Sequence, residues 1–148
     1  GDVLELVATP ANERHPSVSP DGRWFAYQSL ESGQFEIYVR PFPNTSDSRA
    51  MVSAGAGGTE PVWSRSGREL FFKSGGQMMA AEVLPGSTFS VGEPEALFSV
   101  ESFTVDDNTV NYDVMPNDEG FVMVTLGDRL AEFVVENWIG ELRAEGRR

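Results

Sequence analysis

The 148-residue chain contains no cysteine and only one histidine, His15. The lack of cysteine excludes disulfides, thiolate catalysis and cysteine-ligated zinc, but leaves the cellular compartment open. A serine-histidine-aspartate apparatus would need His15 to reach both a nucleophile and an orienting acid. No Gly-x-Ser-x-Gly elbow that would expose such a serine is present. We therefore expect no enzymatic activity and assign no catalytic residue.

Basic residues and long apolar runs are also scarce. The chain has 11 Lys and Arg against 23 Asp and Glu, a formal net charge of −12. Such a surface repels phosphate backbones, so we expect no nucleic-acid partner. No run approaches the roughly 18 apolar residues of a membrane-spanning helix, so we expect no direct membrane insertion. Hydrophobic residues make up 40% of the chain, with ten Phe and three Trp, which is enough for a folded core.

An internal repeat dominates the rest of the sequence. The stretch "PSVSPDGRWFAY" begins at Pro16, and "PVWSRSGRELFF" begins at Pro61, an offset of 45 residues. A third, more divergent copy is "YDVMPNDEGFVMV" from Tyr112. Each copy reads as a short strand, a turn and a second strand rich in β-branched and aromatic residues, which predicts an all-β fold. Four short strands per unit of about 40–45 residues are typical of a β-propeller blade.

We predict one partial β-propeller domain over residues 1–148, with about three four-stranded blades. The blade-like units span about 10–54, 55–100 and 101–148. Fourth strands are predicted at "AMVS" from Ala50 and "EALFSV" from Glu95, whereas the third unit lacks one. A spare strand, Val3–Thr9, aligns with "AMVS" and is predicted to complete the last blade or that of a partner. At the other end we predict a strand to about Asn137 and one or two helical turns to Arg143.

The tetrapeptide Ser19-Pro20-Asp21-Gly22 is interpreted as a turn between the first two strands. An Asp side chain can bond nearby backbone N–H groups, and Gly tolerates positive φ. The turn recurs in each unit, which favours a structural role, because an active site rarely appears once per blade.

The candidate binding residues lie on the strand before that turn. Alternation places His15, Ser17 and Ser19 on one face, and the repeat maps that face onto Glu60 and onto Asn111 and Asp113. If this face lines the central channel, the ligand-binding candidates His15, Glu60, Asn111 and Asp113 form a polar, partly acidic ring. That ring could hold a cation such as calcium or a basic peptide group. The alternative is a water-filled channel without a dedicated ligand.

We assign no metal ligand and no cofactor. The oxygen-rich Asp106–Asn108, with Asp113 and Asp118, invites a calcium interpretation because hard cations prefer clustered oxygens. Their spacing does not match an EF-hand loop, so we interpret this segment as a solvated loop.

The first unit carries a family resemblance. "HPSVSPDGRWFAYQSLESGQFEIYVRPFP" resembles the WD40-like repeats of TolB-type propellers. It is particularly similar to the propellers that follow the kinase and membrane-spanning regions of bacterial serine/threonine kinases. "TEPVWSRSGRELFF" and "VVENWIGELR" are similar to the last two blades of such proteins, although Arg65-Ser66 and Asn117-Asp118 depart from the Pro-Asp turn. The resemblance implies a non-catalytic sensor or protein-interaction module, periplasmic or extracytoplasmic, within a membrane-anchored parent protein.

The resemblance also implies a C-terminal half-propeller, since complete rings of this kind have about six or seven blades. Two copies could close a six-bladed ring, with each Val3–Thr9 strand completing the last blade of its partner. The partner predictions are therefore a homodimer or other self-association through strand exchange, and a protein or peptide ligand. Two alternatives stay open. One is the gating propeller of a prolyl-oligopeptidase-like peptidase whose catalytic domain is absent, and the other is an engineered or excised propeller fragment.

Overall fold

The computed structural model describes residues 3, 5–46, 48–103, 108–126 and 131–136. Within these residues the chain forms eleven β-strands and no helix. The strands form three antiparallel sheets in which strands adjacent in sequence are adjacent in the sheet. The predicted all-β class is confirmed, and the three open, successive sheets fit a partial β-propeller.

Each sheet is a simple up-and-down meander. The first contains β1 (Glu13–Val18), β2 (Trp24–Ser29), β3 (Glu36–Pro41) and β4 (Ala50–Met51). The second contains β5 (Thr59–Trp63), β6 (Glu69–Ser74), β7 (Gln77–Glu82) and β8 (Glu95–Ser99). The third contains β9 (Tyr112–Val114), β10 (Phe121–Leu126) and β11 (Ala131–Glu136), with β11 at its edge.

The fourth strands predicted from Ala50 and Glu95 are present as β4 and β8. The N-terminal segment differs from the prediction, because residue 3 and residues 5–9 have no strand conformation. Leu6 and Val7 instead pack on an aromatic cluster of the first sheet. A strand needs an unpaired edge to bond with, and in the single chain this segment lies on a sheet face. The helical turns predicted up to Arg143 fall outside the described residues.

The turn after β1 has the structure expected for Ser-Pro-Asp-Gly. The backbone N–H of Gly22 donates to the Ser19 carbonyl over 2.8 Å, and Gly22 has a φ of 70°. The Asp21 carboxylate accepts from the Ser19 hydroxyl at 2.6 Å and from the backbone N–H of Arg23 at 3.1 Å. The Ser19 hydroxyl bond lowers the pKa of Asp21 below its ordinary value, with the backbone bond and the Arg23 charge contributing. Asp21 therefore builds the turn.

The inner strands β1 and β5 share an irregularity that the sequence did not reveal. Each has a register shift against its neighbour, between Arg14 and Ser17 in β1 and between Thr59 and Val62 in β5. At the shift, His15 has a φ of 52° and Glu60 a φ of 55°, a conformation that is uncommon for residues other than glycine. These positions are 45 residues apart, so the repeat extends to the backbone itself.

The apolar core lies between the sheets. Between the first and second sheets the buried residues are Trp24, Ala26, Ile37, Val39, Val52, Trp63, Leu70, Phe72 and Ala81. Between the second and third they are Phe71, Met78, Ala80, Phe98, Val100, Tyr112, Val114, Phe121 and Met123. The faces of the second sheet are therefore both buried, which joins the three sheets into one stack.

Close approach at one point of this core requires glycine. A Cβ atom on Gly58, just before β5, would lie 2.7 Å from Ile37 Cγ1 and 3.2 Å from Phe72 Cδ2. The first sheet can therefore contact the second here only because residue 58 has no side chain.

Nowhere in the described ranges is there a helix long and apolar enough to cross a membrane.

Candidate functional site

Glu60 lies at the centre of a polar network buried between the sheets. Its carboxylate accepts from Lys73 Nζ, which lies 3.0 Å from both Oε1 and Oε2. Lys73 is on the neighbouring strand β6, and the side-chain exposures are 9% for Lys73 and 4% for Glu60. Each of these buried charges is stabilised by the other, because removing one would leave an uncompensated charge in the interior.

The same glutamate reaches the third sheet. The backbone N–H of Asn111, directly before β9, donates to Glu60 Oε2 over 2.9 Å. The Tyr112 hydroxyl donates to the Glu60 backbone carbonyl over 2.6 Å, and Lys73 Nζ lies 5.5 Å from the centre of the Tyr112 ring. Burial raises the pKa of Tyr112 well above its ordinary value, and the negative charges of Glu60 and Asp113 add to that shift. Tyr112 is therefore held as a neutral donor.

Gln28 on β2 extends the network into the first sheet. Its Oε1 accepts the backbone N–H of Glu60 over 2.8 Å and lies 2.8 Å from His15 Nδ1. With Gln28 Oε1 as the shared acceptor, His15 donates through Nδ1. The other ring nitrogen of His15, Nε2, is then a buried acceptor without a hydrogen-bond partner in the described part of the chain. We call Gln28, Glu60, Lys73, Asn111 and Tyr112, together with His15, the inter-sheet network.

Asp113 belongs to a second, exposed contact between the second and third sheets. Its Oδ2 lies 2.7 Å from Arg65 Nη2, and Arg65 also donates to the backbone carbonyl of Val114. On the same side, the Asp118 carboxylate accepts the backbone N–H groups of Arg65 and Ser66. These bonds connect the turn between β5 and β6 in the second sheet to the turn between β9 and β10 in the third.

The structure thus brings three of the four candidate residues into one network and places the fourth apart. Gln28 links His15 to the Glu60 backbone, and the Asn111 N–H donates to the Glu60 carboxylate. Asp113 instead pairs with Arg65. Simple alternation does not describe β1 and β5, because the register shift at His15 and Glu60 interrupts it. A ligand-binding role for these four residues stays a prediction.

Sequence reasoning missed Gln28, Lys73 and Tyr112. Gln28 and Lys73 carried a signal, since they are polar residues within the apolar strands "WFAYQS" and "ELFFKS" and stand 45 residues apart. Both are buried. A buried polar residue at a repeated position indicates a hydrogen-bonded network, because burial without a partner is costly. Tyr112 carried no such signal, because its contact with Glu60 depends on how two sheets meet.

The contacts of Glu60 are structural ones that connect the sheets. The Glu60 carboxylate is occupied by the Lys73 ammonium and the Asn111 N–H, so it is already neutralised and hydrogen-bonded. Among the residues that the structure describes, no three His, Asp or Glu side chains are arranged to hold a metal ion. Asp106 and Asp107, part of the oxygen-rich loop considered for calcium, lie outside those residues.

Comparison with solved structures found 16 matching chains. No family model matches the chain, and no curated protein matches it. The crystal structure of TolB from Acinetobacter baumannii aligns with 90% of this chain and 43% of its own, at 12% sequence identity and a TM-score of 0.44. This chain therefore spans less than half the length of that protein.

Proposed function

We propose that the chain is a non-catalytic β-propeller module that binds or scaffolds other proteins. The inter-sheet network is the observation that carries this proposal. Gln28, Glu60 and Asn111 come from three successive sheets, and their bonds join those sheets. Fixing the sheets relative to one another holds the loops and turns at their ends in one arrangement, as a rigid binding surface requires.

The ligand contacts are proposed at the two more accessible candidates. Asp113 is exposed and His15 is half-buried, with its Nε2 atom lying beneath the surface. The net charge of −12 favours approach of a positively charged partner through long-range attraction. We therefore propose a basic protein or peptide segment as the ligand, with Glu60 and Asn111 supporting the surface from beneath.

The proposed setting is an extracytoplasmic one. The first repeat resembles the propellers attached to bacterial membrane-anchored serine/threonine kinases, and that resemblance supports a sensor or protein-interaction domain of such a kinase. In this setting the module is periplasmic or exposed outside the cell. Self-association as a homodimer is part of the same proposal.

Binding of a lysine-rich peptide, measured by calorimetry against an uncharged peptide of equal length, tests the ligand class. We expect Asp113→Asn to weaken binding several-fold. The matched control Glu95→Gln removes one exposed carboxylate on β8 and should leave binding unchanged. Equal weakening by both variants, or no binding by the unaltered chain, would contradict the proposal. Calcium titrated in place of the peptide tests the cation alternative.

A further inference from the structure

We propose that the outer face of the first sheet is a docking surface for the third sheet of a second copy, and that the N-terminal segment occupies it until displaced. We call this surface the aromatic face; it consists of Phe25, Tyr27 and Tyr38. The inference rests on the self-association proposed above and specifies its surfaces and its control.

The internal repeat identifies what the aromatic face is built to contact. On β6, Leu70 and Phe72 pack against the first sheet. The residues of β2 that stand 45 positions earlier are Phe25 and Tyr27, which point away from the second sheet. In the third sheet the face that meets the preceding sheet is formed by Phe121 and Met123 of β10. Thus each sheet has an apolar face for a preceding sheet.

Within the described chain, no sheet precedes the first one. The rings of the aromatic face nevertheless pack on one another, with ring centres of Phe25 and Tyr27 5.4 Å apart and those of Tyr27 and Tyr38 5.9 Å apart. Leu6, Val7 and Phe42 cover it, so that Phe25, Tyr27 and Tyr38 are only 2–6% exposed. The Thr45 hydroxyl also bonds the Leu6 carbonyl. A short segment therefore stands where the repeat would place a sheet.

An open cleft lies beside this cover. A cleft of about 320 Å³ remains between the N-terminal segment and the first sheet, with Leu6, Val7, Phe25 and Tyr27 among its lining residues. This cleft is open to solvent, and Glu5, Glu13 and Arg14 also line it. The N-terminal segment therefore covers the aromatic face without enclosing the space beside it.

The complementary face lies at the other end of the chain. Because Phe121 and Met123 point to the second sheet, Val122 and Val124 point to the opposite side of β10. Both valines are half-buried. In the preceding sheets the corresponding faces, which include Ala26 in the first, pack against the next sheet. The chain therefore carries both halves of one head-to-tail contact, and two copies form it twice in a closed ring of six sheets.

Sedimentation equilibrium of the full chain and of a chain lacking residues 1–8 tests the proposal. Removing the N-terminal segment frees the aromatic face, so we expect each contact to tighten about tenfold, which equals about 1.4 kcal/mol. A closed dimer has two such contacts, so its dissociation constant should fall about a hundredfold. Strand exchange predicts the reverse, because the exchanged strand would be lost. A weaker or unchanged dimer therefore overturns the proposal.

Two substitutions locate the contact. Val122→Asp should abolish the dimer while circular dichroism shows an unchanged fold, whereas Leu30→Asp, at a 40% exposed leucine between β2 and β3, should not. Dimerisation that survives Val122→Asp overturns the proposal. If the shortened chain does not fold, Val7→Gly in the full chain loosens the segment and should tighten the dimer. Loss of the dimer would leave the peptide titration above unaffected, so the peptide-binding proposal and this one fail separately. A full chain that forms no dimer contradicts the proposed self-association as well, whereas a dimer that survives Val122→Asp contradicts only this contact.

Discussion

The Lys73→Met substitution should lower the free energy of unfolding more than a substitution of similar size on the protein surface. Methionine keeps most of the volume of lysine but removes the ammonium that lies 3.0 Å from both Glu60 carboxylate oxygens. The carboxylate stays buried and keeps the hydrogen bond from the Asn111 N–H. Breaking a buried ion pair in this way costs about 3–5 kcal/mol. We expect a loss of about 3 kcal/mol, because one hydrogen bond to Glu60 remains.

The loss is measurable by urea and by thermal unfolding. For a chain of this length, about 3 kcal/mol corresponds to a fall in Tm of roughly 6–12 °C. A double-mutant cycle with Glu60→Gln separates the pair from its surroundings. The double variant has no buried charge, and its amide oxygen can still accept from Asn111, so we expect a coupling energy of about 2 kcal/mol.

The exposed pair of Arg49 and Glu31 supplies the matched control. Arg49→Met should cost less than about 1 kcal/mol, because exposed ion pairs contribute little. If Lys73→Met costs no more than this control, or if the two substitutions at residues 60 and 73 are simply additive, the joining role of the network is refuted.

Three further predictions concern single contacts. Gly58→Ala should destabilise the fold by about 1–3 kcal/mol, since its Cβ would lie 2.7 Å from Ile37. Tyr112 has a raised pKa, so above a pH of about 10 the unfolded chain loses this proton first and stability falls as pH rises. Tyr112→Phe should remove that part of the alkaline dependence. Asp118→Ala should cost about 1–2 kcal/mol by freeing two backbone N–H groups.

Each of these has its own check in unfolding experiments. Gly86→Ala, where the added Cβ would lie 3.4 Å from its nearest neighbour, should be close to neutral, and equal losses at residues 58 and 86 would contradict the packing argument. For Tyr112, the argument is contradicted if stability falls with alkaline pH to the same extent in the unaltered chain and in Tyr112→Phe. For Asp118, the asparagine variant should recover part of the loss, since it keeps one acceptor and tolerates the φ of 58°.

Much of the fold was predictable because its signals are local. The turn at Asp21 and Gly22 and the outer strands from Ala50 and Glu95 follow from residue types and from the 45-residue repeat. The prediction for Val3–Thr9 differed from the structure because strand propensity does not state whether a free edge is within reach. In the single chain, the described part of this segment packs on aromatic rings.

The candidate site was only partly predictable. The repeat aligned His15, Glu60 and Asn111, and the structure joins them in one network. Their chemistry could not be read from spacing, because it depends on Gln28 and Lys73, which approach from the second strand of each sheet. The register shifts in β1 and β5, which turn the local backbone, also leave no composition signal.

The amino-acid sequence by itself determined the class of fold, the repeat and the turns, since these depend on interactions within a few residues and on a period that is visible along the chain. Only the tertiary structure decided that Glu60 is neutralised by Lys73 and that Asp113 faces Arg65. Charges on different strands acquire their partners when sheets pack, and a buried carboxylate has a different chemistry from an exposed one. Alternation predicted a polar, partly acidic ring. In the structure, Glu60 instead connects three sheets through its hydrogen bonds and its ion pair with Lys73.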